Sequence, residues 1–145
     1  MHAWLRFSLL ATATVAGSAH WVEGTDATPA YYTVAPRHDA HPLLSGKQLT
    51  GPYFQHPYQV TAYQMAAKAE KALYGQPCHC RCDRALGHKS LHSCFEGTHG
   101  AECATCMREG MYTYQQTKLG KTPAQIREGI ERGEAEQVDV VNATL

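Results

Sequence analysis

The sequence has no surplus charge of either sign. Thirteen Lys and Arg are matched by thirteen Asp and Glu, so the overall charge provides no electrostatic footprint for a phosphate backbone, and nucleic acid is not an expected partner. Nucleotide loops, serine-nucleophile arrangements and paired carboxylates are also missing, which removes the usual machinery of nucleotide chemistry and acid–base hydrolysis. There is no internal repeat, and the composition fits neither collagen nor a coiled coil nor a disordered chain. After the first twenty residues no apolar run approaches the roughly 20 residues that a membrane span requires. Cysteine is absent before residue 78 and after residue 106. With 145 residues, 43% of them hydrophobic, the chain can build one small domain but not two independent cores.

The first segment reads as an address. In residues 1–19, MHAWLRFSLLATATVAGSA, a single Arg precedes an apolar run and then small residues, the layout of a secretory signal peptide with cleavage expected after Ala19. No Cys stands immediately after that site, the first being Cys78, which argues against a lipid anchor, and the single Arg6 argues against twin-arginine export. The mature chain is therefore expected in the periplasm or outside the cell, without a stable membrane anchor, and would acquire any metal there.

Residues 20–56 carry four prolines and no sustained period and read as an irregular arm or linker. Pro57 then suits a first helical turn, and Tyr58, Ala62, Met65, Ala69 and Leu73 recur at helical spacing until Gly75. A second helix is expected to begin near Gly100, with Cys103, Met107, Met111, Tyr114 and Lys118 on one side and Gly120 as its C-terminal cap. Thr122, Pro123 and Gln125 have capping-box character and open a third helix with the stripe Ile126 and Ile130. The methionines at helical spacing read as core, not as ligands. The expected fold is all-α, a three-helix domain over 57–133 with a Cys/His-rich loop, followed by a flexible tail at 134–145. A domain this small is near the limit at which an apolar core suffices without a metal or disulfide staple.

All six cysteines and four of the nine histidines lie between Cys78 and Cys106. Cys78, Cys80 and Cys82 alternate, so on extended backbone their side chains would share one side. Cys103 and Cys106 form a CxxC pair that a helix places on one face, with Cβ atoms about 5–6 Å apart. That spacing suits a tetrahedral Zn, whose bond lengths of about 2.3 Å hold sulfurs about 3.8 Å apart. His88, Cys94 and His99 lie between the two sulfur groups and complete the candidate ligand set; His92 is a weaker candidate.

Thiolates favour Zn, Cu(I) or iron–sulfur clusters. Iron–sulfur assembly in the cytosol fits poorly with an exported chain, which leaves Zn or Cu(I). Within the window Arg81, Arg84 and Lys89 only balance Asp83, Glu96 and Glu102, so no surplus cation compensates a highly anionic cluster. Mixed Cys/His ligation, or monovalent copper with few thiolates, is the easier design. Two other readings stay open. A CxC or CxxC exchanging electrons with a thiol partner would make the chain a redox protein and, if an enzyme, a thiol-dependent oxidoreductase. Three bridges would make it a disulfide-stapled interaction module, although a bridge within CxC is a strained way to staple a fold.

The blocks PCHCRCD (77–83), GHKSLHSCFE (87–96), HGAECATC (99–106) and GKTPAQIREGI (120–130) resemble the bacterial PCYCGC-motif proteins, in particular the CYCXC (seleno)protein branch. The resemblance implies an exported bacterial protein of a family with no assigned activity. It carries the motif onto Cys78, Cys80, Cys82, His88, Cys94, His99, Cys103 and Cys106, with His79 where the family has Tyr. The selenocysteine implied for some members points to electron transfer or soft-metal capture.

Overall fold

The structure is a computed structural model and describes residues 18–37 and 41–145. The expected signal segment therefore lies, but for its last two residues, outside the described residues. None of the described helices is long and apolar enough to cross a membrane.

Three substantial helices form the scaffold. The periodic segment after Pro57 becomes α1 (Pro57–Lys68), continued after a break at Ala69 by α2 (Glu70–Leu73). It buries Ala62, Tyr63, Met65 and Ala66, and then Ala72 and Leu73. Two short helices follow, α3 (Cys82–Ala85) and α4 (His99–Glu102), with a 3-10 turn at Leu91–Phe95 between them. The long helix α5 (Ala104–Lys118) packs along α1 and buries Met107 and Met111, so the methionines are core residues. It ends as expected at Gly120, whose φ of 76° is the left-handed conformation that suits glycine past a helix end. In α6 (Pro123–Glu131) the Thr122 hydroxyl accepts from the Gln125 backbone N–H at 3.3 Å while the Gln125 side chain accepts from the Thr122 N–H at 3.0 Å. Ile126 and Ile130 then face a second apolar cluster with Ala72, Tyr112 and Ala135.

Three expectations need correction. The fold is helix-rich but not all-α, because β1 (His20–Val22) pairs antiparallel with β2 (Tyr31–Val34). Strands this short carry no readable alternation. They are held by the body of the protein: the Tyr32 N–H donates to the Tyr74 carbonyl at 2.8 Å, Trp21 Nε1 donates to the Lys89 carbonyl at 3.1 Å, and the Arg127 guanidinium lies over the Tyr31 ring. The stretch 20–56 is thus no loose arm where it is described. Nor is 134–145 a free tail. Ala135 is buried, Val138, Val140 and Ala143 pack on the main core, and the Tyr112 hydroxyl donates to Glu134.

Gly110 sits inside α5 because the Phe95 ring packs against it; a Cβ there would lie 2.5 Å from Phe95 Cζ. Glycine to alanine inside a helix ordinarily stabilises by up to about 1 kcal/mol. Here Gly110→Ala is expected to destabilise instead, by about 1–3 kcal/mol through overpacking, read as a lowered denaturant midpoint with an unchanged slope.

Candidate metal centre

The main core contains four of the six cysteines, Cys78, Cys82, Cys94 and Cys106, packed among Tyr63, Leu91, Phe95 and Met107. Each comes from a different local structure. Cys78 closes the loop after α2, Cys82 opens α3, Cys94 lies in the 3-10 turn, and Cys106 is in the first turn of α5. Cys80 and Cys103 are half-buried at the edge of this group, and all six are free thiols.

The CxCxC segment is not extended. Its backbone turns at residues 79–80 and passes through Arg81, the one non-glycine with positive φ (63°) among the described residues, before entering α3. The turn brings the sulfurs together where a pleat would have spaced them along a strand. Cys78 and Cys80 Sγ are 3.3 Å apart, Cys78 and Cys82 3.6 Å, and Cys80 and Cys82 2.6 Å. The distant cysteines join the same group, with Cys78 to Cys106 at 3.3 Å, Cys80 to Cys106 at 3.6 Å and Cys82 to Cys94 at 3.4 Å. The Cys103 thiol interacts with those of Cys80 and Cys106. As N-cap of α5, with Cys106 three residues on, it realises the helix-start placement of the CxxC pair.

The two histidines occupy unequal places. His99 is on α4 rather than on the helix of the CxxC pair, because the chain becomes extended at Cys103 and breaks the two helices apart. From there its Nε2 lies 3.4 Å from Cys82 Sγ and 3.7 Å from Cys80 Sγ. His88 reaches only Cys94, Nδ1 to Sγ 3.4 Å, and meets His99 edge to face. His92 is fully buried away from the sulfurs, stacked on Tyr74 with Nδ1 2.8 Å from Glu96.

Two sets of four side chains are positioned to hold a metal ion, with the ligand atoms of each set all within 4.8 Å of one another: Cys78, Cys82, Cys94 and Cys106, and Cys80, Cys82, His99 and Cys106. His88 and Cys103 border these sets without belonging to either. The donor chemistry, soft sulfur with one imidazole, suits a soft or borderline metal ion better than one that prefers oxygen. The thiols share their protons unequally. Hydrogen bonds from Cys103, Cys106, Cys78 and Cys82 pull the Cys80 thiol well below the ordinary range. Cys82 is pulled down as well, first by Cys106 and then by Cys78. Cys106 is pushed up, first by Cys103 and then by Cys78, Cys80 and Cys82.

Sequence reasoning missed Glu109. Its carboxylate is buried on α5, accepts the His79 backbone N–H at 3.2 Å and contacts His79 Nδ1 at 2.8 Å. Burial raises its carboxyl pKa, against the pull of His79, and it also interacts with the Cys78 thiol. His79 thus turns to a carboxylate and belongs to neither ligand set. The available signal was position: Glu109 follows Cys106 by three residues, on the same face of α5.

Residues 45–138 match the family model described as a protein of unknown function with PCYCGC motif. No curated protein and no solved structure matches the chain. Here the motif reads Pro77, Cys78, His79, Cys80, Arg81, Cys82, so its glycine position is held by Arg81, the residue in the left-handed conformation. Arg81 Nη2 donates to the Thr25 carbonyl at 2.5 Å, which ties the motif turn to the loop between β1 and β2. Arg81→Gly and Arg81→Ala both lose that tie and differ only in the Cβ. The glycine variant is expected to be the more stable of the two by about 1 kcal/mol, measured by chemical denaturation of both. The three motif cysteines stand in register within a match that covers well over half of the chain, and the chain belongs to the family of proteins of unknown function with PCYCGC motif.

Proposed function

We propose that this chain is an exported soft-metal-binding protein that holds Zn or Cu(I) with Cys78, Cys80, Cys82, Cys94, Cys106 and His99, bordered by Cys103 and His88. The observation that carries the reading is the convergence of five thiols and an imidazole in one cluster, with most of their close sulfur separations at 3.3–3.6 Å. These lie just inside the roughly 3.8 Å that a tetrahedral ion imposes on its sulfurs. A staple needs its sulfurs only in pairs, so the disulfide-module reading does not account for this convergence.

Binding couples to folding, because thiolates brought this close in a low-dielectric core repel unless a cation lies between them. The full chain purified anaerobically is expected to carry Zn or Cu. Chelation should lower its unfolding temperature and expose all six thiols to a thiol reagent, with elemental analysis on the same sample. A metal-free protein whose stability is unchanged by chelation would overturn the reading.

A second reading, thiol–disulfide exchange, is favoured by one observation. Cys80 and Cys82 Sγ are 2.6 Å apart and Cys80 is half-exposed, so a small movement would bring them to the roughly 2.05 Å of a bond. In that case incubation with oxidised glutathione should remove two hydrogens from the protein mass, map them to the Cys80–Cys82 peptide, and be reversed by reduced glutathione. Inertness of all six thiols to this couple removes the redox reading and leaves metal binding alone.

A further inference from the structure

We infer that the centre is binuclear, with two divalent ions of the zinc type bridged by the thiolates of Cys82 and Cys106. The inference rests on the metal-binding reading above and deepens it. The two four-ligand sets need not compete for one ion: they share only Cys82 and Cys106, and each brings two donors that the other lacks. A single four-coordinate ion would take one set and leave the other set's two private donors crowded beside it. Two four-coordinate ions that share two ligands need six donors, and the union of the sets is six: Cys78, Cys80, Cys82, Cys94, Cys106 and His99.

The shared residues reach donors on both sides, and the private donors Cys78 and Cys80 also meet across them at 3.3 Å. Cys82 Sγ lies 3.6 Å from Cys78 and 3.4 Å from Cys94 on one side, and 2.6 Å from Cys80 and 3.4 Å from His99 Nε2 on the other. Cys106 Sγ is 3.3 Å from Cys78 and 3.6 Å from Cys80. Both are buried, and a buried thiolate that cannot reach water is best satisfied by a second cation on its remaining lone pairs.

Charge selects the kind of ion. One divalent ion in the set with His99 is held by three thiolates and leaves one negative charge. The second arrives with the thiolates of Cys78 and Cys94 and adds no net charge. Two monovalent ions in the same six-donor centre would leave three negative charges in the core. The cationic side chains of the motif turn are already engaged: Arg81 with Asp83 and with Thr25, and His79 with Glu109.

The test is a titration of the reduced full chain with Zn, followed by native mass spectrometry, and a parallel titration with Co(II), followed by its thiolate charge-transfer absorption and its paramagnetic resonance signal. Two ions per chain are expected. In the Co(II) series the paramagnetic signal should be largely lost at two equivalents while the charge-transfer band keeps rising, because a shared sulfur couples the two spins. Cys94→Ser leaves the His99 set whole, and His99→Ala leaves the all-cysteine set whole. Each should bind one ion and restore the uncoupled Co(II) signal. Saturation of the wild-type chain at one ion, or two ions whose signals simply add, overturns the bridged centre while leaving metal binding intact. No bound ion in either titration overturns the metal-binding reading and the bridged centre with it.

Discussion

The main core of this fold is built around sulfur atoms that lie closer together than thiolates tolerate without a counter-charge. In a core of hydrocarbon side chains, contact at this range is favourable and needs nothing further. Here Cys78, Cys82, Cys94 and Cys106 occupy interior positions between Tyr63, Leu91, Phe95 and Met107, where each would otherwise be a small hydrophobe. Ionisation converts the same packing into repulsion in a medium that screens poorly. The interior is therefore stable with the thiols protonated or with cations among them; the same hydrogen bonds pull Cys80 and Cys82 toward thiolate and push Cys106 toward the protonated form.

Apart from α5, which carries Cys106, the elements that carry the candidate ligands are too short to stand alone. α3, α4 and the 3-10 turn each span only one turn or a little more, below the length at which an isolated helix persists. The scaffold supplies their order through hydrogen bonds that have nothing to do with sulfur. The Tyr63 hydroxyl of α1 donates to the Gly97 carbonyl at 2.6 Å, Gln59 Nε2 donates to Ala101 at 2.8 Å, and the Leu91 N–H donates to Gln76 at 2.8 Å. The Leu44 N–H, from the segment before α1, donates to the Phe95 carbonyl at 2.9 Å. A ligand shell held this way is pre-organised, so less of the binding free energy goes into ordering loops.

The three scaffold helices were legible in the sequence because each is a repetition. Met65 and Leu73, Met107 and Met111, and Ile126 and Ile130 recur at helical spacing, and the caps at Gly120 and Thr122 mark boundaries that the structure keeps. The candidate centre was legible as a density of sulfur but not as a shape. Convergence of the CxCxC cysteines was expected from an extended strand; the structure obtains it from a turn whose pivot, Arg81, carries no left-handed signal of its own. Pairing of β1 with β2 depends on partners more than forty residues away, such as Tyr74 for Tyr32, and no local pattern announces that. Glu109 was invisible for a different reason. A glutamate on a long helix is nearly always solvated, and only its register with Cys106 sets it apart.

The distribution of burial around the sulfurs bears on what kind of centre this is. Structural metal sites are closed on all sides, whereas sites that exchange a ligand or an ion keep one side open. Cys78, Cys82, Cys94 and Cys106 are buried, while Cys80, Cys103 and His99 are each only partly covered. The partly covered residues come from the motif turn and from α4 up to its junction with α5, so the exposed donors form one side of the cluster. Beside it a depression of about 480 Å³ is lined by His41, His88, Glu96 and His99. Three imidazoles and a carboxylate at the mouth of a sulfur cluster are harder and more exchangeable ligands than the thiolates behind them. An ion approaching from that side would pass from weaker to stronger donors, and one leaving would have to reverse that order. A sealed staple has no use for such a gradient, whereas the soft-metal binding proposed above would use it for uptake.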